Sequence, residues 1–221
     1  MKYEHQLRKL SSEERKNLSS EEIFHSAEFS SYLQKMGETL LRHCGITKRL
    51  SLTILPTGIA PGWTDGKKEY LVPENTITEA YNDIYAKFTA LLGIHFHEIA
   101  HIIYCDFAEE QKAIDKIKAG EFYGELPVPK TQAEVDALTE MKDALQNSAY
   151  RLLFQQIFND VTNTIDDPHD EGKIIDEFGG IVEKGIATSR EALFRSFDYA
   201  ENILANDKAT KLQKLYALML E

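Results

Sequence analysis

Seven histidines are spread over 221 residues, and two of them stand four apart in His97-Glu98-Ile99-Ala100-His101. Residues four apart on an α-helix share a face, so the imidazoles of His97 and His101 can point at one cation. Glu98 turns away from that axis yet still reaches a water held there. Two nitrogen donors beside a carboxylate that can take a proton from water suit Zn²⁺, with Glu98 as the base.

The flanks of the motif are apolar: Leu91, Leu92, Ile94 and Phe96 before it, Ile99, Ala100, Ile102 and Ile103 within and after it. This stretch therefore reads as a buried helix. An unpaired polar group in such a place costs about 1–3 kcal/mol; a metal supplies the partners, and hydrogen bonds within a core are the alternative. His95 lies roughly 200° around the helix from His97 at 100° per residue, which makes it a core histidine or a support for the ligands. Gly93, four residues before His97, lets another backbone come close to the same face. Cys105, four residues past His101, reads as a small apolar residue, although a thiol there could join a metal site.

A catalytic zinc takes three protein ligands and leaves one position open. Asn163-Thr-Ile-Asp-Asp-Pro-His-Asp-Glu171 is the acid cluster with the right setting, at the end of a segment whose other face is apolar. Asp167 shares a helical face with Asn163 and Asp160. It also precedes Pro168, which biases it out of the helical region and makes it a candidate N-cap for a following helix, with Asp170 and Glu171 in the first turn. Asp160 and His169 are further candidates.

Two segments, Ala90-Leu-Leu-Gly-Ile-His-Phe-His-Glu-Ile-Ala-His101 and Asn163-x-x-Asp-Asp-x-His-x-Glu171, resemble a family of zinc metallopeptidases of the gluzincin kind. Its members often stand N-terminal to a von Willebrand factor A domain, in phage and bacterial proteins related to cobaltochelatase subunits. The family pattern is roughly G-x-x-x-H-E-x-x-H followed far downstream by N-x-x-E-D-x-R-x-E, and the Trp63-Thr-Asp-Gly66 hairpin fits what precedes it. The likeness spans about residues 50–200. It implies a zincin-like fold, Zn²⁺, a peptide or protein substrate, and a von Willebrand A domain or AAA+ ATPase as partner. Carried over by position, Asp166 is the third ligand, one methylene shorter than the family's glutamate, and His169 replaces its arginine. Asp167 stays the rival. The chain has no D-x-S-x-S motif of its own, so the partner domain is not expected within it.

The elements that must place these residues follow from the pattern. Ser11 and Ser19 open two capping-box signals; the second starts a helix to about His43, closed by Gly45. Leu50–Leu55 alternates and ends at Pro56, and Ile59–Val72 forms two strands around Asp65-Gly66, a hairpin signal. This small antiparallel sheet either offers its edge to an extended peptide or covers the core, with Trp63 packed under the turn. The motif helix spans about 78–106, and a short helix 108–118 leads into a loop rich in Gly and Pro that suits a lid. A long helix, about 132–171, carries the acid cluster, with Phe154, Ile157, Phe158, Val161 and Ile165 as its apolar stripe. Helices over about 188–220 complete a single domain, 1–221, of mainly helical α+β class.

A net charge of −11 argues against nucleic acid as a partner. No apolar run reaches membrane-spanning length and the first residues lack a signal-peptide core. Two cysteines without framework spacing fit a reducing, cytoplasmic setting. The expected activity is zinc-dependent hydrolysis of peptide bonds, and the alternative is a metal-binding module that works with its partner without proteolysis.

Overall fold

The computed structural model describes residues 19–58, 60–196, 200–210 and 214; the Ser11 capping signal and most of the last part of the helical stretch expected up to 220 lie outside them. The chain divides into two compact units, one made of Met1–Cys105 with Asp167–Glu221 and the other of Asp106–Asp166.

In the first unit, α1 (Ser20–Phe24) and α2 (Ala27–His43) replace the one helix expected to His43. Ser26 interrupts it: its hydroxyl accepts from the Phe29 amide at 3.1 Å and donates to the Ile23 carbonyl at 2.7 Å, offering the backbone a cap instead of a continued ladder. Gly45, at φ 77°, closes α2 as expected. Its amide donates to the Arg42 carbonyl and that of Ile46 to the Leu41 carbonyl, the paired bonds of a Schellman end. The inner face of α2 is apolar, and Gly37 lets it approach closely: a Cβ there would stand 2.9 Å from Ile99 Cδ1.

Strands β1 (Ser51–Ile54), β2 (Gly62–Thr64) and β3 (Lys68–Leu71) lie in the order β1-β3-β2. The hairpin forms as expected, its turn held by Asp65 Oδ1 accepting from the amides of Lys67 and Lys68. The sheet as a whole is mixed, however, not antiparallel, because β1 pairs parallel with β3. Residues 55–61, with Pro56 and Pro61, form too long a link for a tight hairpin. β3 fills the central slot between β1 and β2, burying Glu69 and Leu71. Trp63 stacks on its cross-strand partner Tyr70 with ring centroids 5.0 Å apart.

After the single turn α3 (Thr76–Glu79), the motif helix α4 starts at Ile84, six residues later than expected, and ends at Tyr104. The Asp83 carboxylate caps it through the Ala86 amide. Fourteen of its twenty-one residues are buried, so α4 is the axis of this unit's core. Gly93 has the role expected of it: a Cβ there would sit 2.1 Å from the Gly185 carbonyl oxygen, so α8 (Gly180–Ser196) packs backbone to backbone against α4. The C-terminal helical region thus begins at Gly180, not 188, and continues in α9 (Ala200–Ala205).

The second unit holds α5 (Phe107–Ala119), α6 (Gln132–Leu145) and the first part of α7 (Ser148–Phe178). The long helix expected over 132–171 is two. The break at Gln146–Asn147 is set by Asn147, whose carboxamide oxygen accepts from the Ala149 amide. The second helix runs on to Phe178, with Pro168 inside it. Proline removes one amide and crowds the carbonyl four residues back, yet the helix continues, so Asp167 is mid-helix and not an N-cap. The stripe from Phe154 to Val161 is half-buried, while Ile165 is 61% exposed and not part of a core. Among the described residues, no single helix is long and apolar enough to cross a membrane.

Candidate metal centre

The site is built from α4, the part of α7 after Asp166, and α8, all in the first unit. One turn of α4 brings His97 and His101 together with their Nε2 atoms 3.1 Å apart. Asp167 faces both: its Oδ1 lies 3.3 Å from His101 Nε2 and 3.9 Å from His97 Nε2. A tetrahedral ion with nitrogen and oxygen ligands at about 2.0–2.1 Å spaces its ligand atoms about 3.3–3.4 Å apart. The three atoms therefore form a triangle close to the one such an ion needs.

The other ring nitrogens are anchored. His97 Nδ1 lies 2.7 Å from Glu171 Oε1, and His101 Nδ1 lies 3.3 Å from Asp170 Oδ2 and 3.2 Å from Cys105 Sγ. A carboxylate at Nδ1 favours the proton there and leaves the Nε2 lone pair free. Two such lone pairs directed at each other at 3.1 Å repel, and a proton or a metal cation between them resolves the conflict. Arg190, from α8, completes the frame: its Nε donates to Glu171 Oε2 at 2.7 Å and its Nη2 lies 3.9 Å from Asp167. Asp170 also meets the Cys105 thiol at 3.0 Å and the exposed His169 at 2.9 Å.

Electrostatics point the same way. Burial works against a charged His101, but the carboxylates of Asp167, Glu98 and Asp170 outweigh it and raise its pKa to about 9. Burial would raise Asp167, and the two histidines and Arg190 pull it below the usual carboxylate value instead. Both shifts describe a spot that favours positive charge, whether carried by protons or by a metal. Glu98 is 5% exposed, and burial lifts its carboxyl to about 7 against the pull of His97 and His101, with Glu69 and Asp167 adding to the rise. Strand β2 comes right up to it: a Cβ on Gly62 would stand 3.1 Å from Glu98 Oε1.

His97 and His101 thus come together as the spacing requires, Asp167 joins them, and Glu98 lies close enough to feel the charges of all three. Asp166 and Asp160 are not members of this group; on a helix at 100° per residue, Asp166 cannot share the direction of Asp167. His95 is a core histidine, fully buried with Nδ1 2.6 Å from Glu69 Oε1. Acids that orient the two rings are expected of any such site, but the sequence alone does not single out Asp170 and Glu171 for that role, and it gives no sign of Arg190. The signal for the anchors was present: 167, 170 and 171 are one helical face, hidden by reading Pro168 as a helix break. Arg190 is a single arginine on a distant helix and carries no local signal. Comparison with family models, with curated proteins and with solved structures finds no match in any of the three.

Proposed function

We propose that the chain is a zincin-like, gluzincin-type metal-dependent peptide hydrolase, with Zn²⁺ held by His97, His101 and Asp167 and with Glu98 as general base. The observation that carries this reading is the convergence of two Nε2 atoms and the Asp167 carboxylate, while each Nδ1 is tied to its own carboxylate. The donor set of two imidazoles and one carboxylate leaves a fourth position open, as hydrolytic zinc sites do. Bound there, zinc supplies a Lewis acid and lowers the pKa of a water toward about 7.

The protein's own residues do the rest. Glu171 and Asp170 fix the ring orientations, Arg190 holds Glu171 in place, and Glu98, adjacent to the site and raised to about 7, takes a proton from water and passes it to the leaving amine. Asp167 is favoured over Asp166 by its distances; the motif resemblance alone favours Asp166. Cys44 and Cys105 are not disulfide-bonded, which fits a reducing, cytoplasmic setting.

One observation favours a second reading. Glu98 is almost fully buried under Gly62, which suits a metal-stabilised module that acts with a von Willebrand A or AAA+ ATPase partner and cleaves nothing. Zinc content of protein purified without chelator, followed by hydrolysis of unfolded casein, separates the two. Stoichiometric zinc with cleavage that vanishes in Glu98→Gln, zinc retained, supports the hydrolase. Zinc without cleavage, in the presence of candidate partners, supports the module, and zinc near zero overturns both.

A further inference from the structure

On the outer face of α2 lies an open, solvent-facing cavity of about 390 Å³ lined by polar and charged side chains, among them Lys35, Glu38, Arg42, Lys48 and Arg49. Positions 31, 34, 35, 38 and 42 form one helical stripe, opposite the face that carries Phe29, Leu33 and Leu40 into the core. The turn at Gly45 brings residues 47–49 alongside. Four cations and one carboxylate meet here, in a chain where acids outnumber Lys and Arg by 36 to 25. Concentrating positive charge against that background costs self-repulsion.

The single acid does not neutralise the group. Glu38 takes a hydrogen bond from Gln34 at 3.1 Å and lies 4.0 Å from both Arg42 Nη1 and Arg49 Nε, contacts long enough to draw both guanidinium groups in without using their forks. Arg42 Nη2 reaches Thr39 Oγ1, Lys48 is held on the Gly66 carbonyl, and the Lys35 ammonium has no partner among the described residues. The Arg49 side chain is 86% exposed.

We propose that this cavity binds a phosphate-bearing small molecule. Guanidinium forks match phosphate oxygens in pairs, and a lysine adds a point charge. Ser31, Thr47 and Gln34 offer neutral donors beside them. The site is independent of the metal centre and would stand if the hydrolase reading failed.

Calorimetric titration of the full chain with inorganic pyrophosphate in about 0.1 M NaCl, where the screening length is about 10 Å, tests it. Saturable one-to-one binding tighter than about 1 mM is expected, weakened at least tenfold in the double variant Arg42→Gln, Arg49→Gln and unchanged in Lys116→Gln. Both arginines are solvent-facing, so the double variant should keep the parent's thermal unfolding. Parallel titrations with phosphate and with ATP, without divalent cations, tell free from nucleoside-borne phosphate. Lack of saturation, equal weakening in Lys116→Gln, or tighter binding of a polyglutamate peptide than of pyrophosphate would overturn the proposal.

Discussion

His95 and His97 stand two residues apart on α4, and each has a carboxylate at its Nδ1: Glu69 at 2.6 Å for His95, Glu171 at 2.7 Å for His97. Near the ring the chemistry is the same. At the second nitrogen it diverges. His95 points toward α2, where Gly37 leaves room for the ring, and both His95 Nε2 and Glu69 Oε2 are buried without a partner among the described residues. His97 points the opposite way, toward His101 Nε2 and Asp167. A carboxylate–histidine pair is therefore a neutral fixture in itself. It becomes a clamp between strand β3 and helix α4 in one case and a ligand support in the other, according to what meets the far nitrogen.

The sharpest way to break this contrast is to delete each ring. His97→Ala removes one of three ligands and is expected to abolish stoichiometric zinc, measured by elemental analysis. The chelated protein should unfold at the same temperature with or without the substitution. His95→Ala should do the reverse. It leaves Glu69 buried and uncompensated, a loss of about 3–5 kcal/mol in denaturant unfolding, while zinc still binds to the folded fraction. If His95→Ala lost zinc at unchanged stability, the clamp and the ligand would have been assigned the wrong way round.

A smaller effect is expected one step out from the metal. Glu171→Gln keeps the size of the side chain but weakens its hold on His97 and on Arg190, and such outer contacts are worth about 10–100-fold in metal affinity. Arg190→Gln acts only through Glu171 and Asp167, so it should fall at the lower end of that range. Competition with a chromophoric chelator gives both numbers. Equal affinity in all three proteins would show that the frame around His97 supports the fold alone, as the frame around His95 does.

The contrast also marks where reading the chain stops. The four-residue spacing and apolar flanks were enough to bring His97 and His101 onto one face, because a helix converts spacing directly into direction. Gly93 and Gly45 were legible for a similar reason: each answers a local backbone demand. The parallel pairing of β1 with β3 was not, since nothing in Ser51–Ile54 tells which strand fills the slot beside it. Asp170 and Glu171 were hidden by Pro168, whose local preference for ending a helix yielded to the packing of α7's far end, where Ile174 is fully buried. Glu69 looks in sequence like any charged residue after a turn; only the tertiary position of His95 makes it a core residue.

The smallest effect comes from the other carboxylate of the same hairpin, Asp65, four residues before Glu69 but open to solvent. The Lys68 amide, chiefly, holds its carboxyl below the usual value, with smaller help from the Lys67 amide and the two lysine charges. A group whose pKa is lower folded than unfolded adds stability above its unfolded value, about 3.9, and that stability is lost as the pH falls toward the lower folded value. Because Asp65 is solvent-screened, the contribution should be roughly 0.5 kcal/mol or less. Asp65→Asn keeps an acceptor for the turn and should remove only this pH-dependent part. The difference in unfolding free energy between parent and variant should therefore shrink between about pH 5 and pH 3. A difference that stayed constant over that window would mean that the turn depends on the shape of the side chain and not on its charge, whereas Glu69, sealed beside His95, has no solvent to screen it.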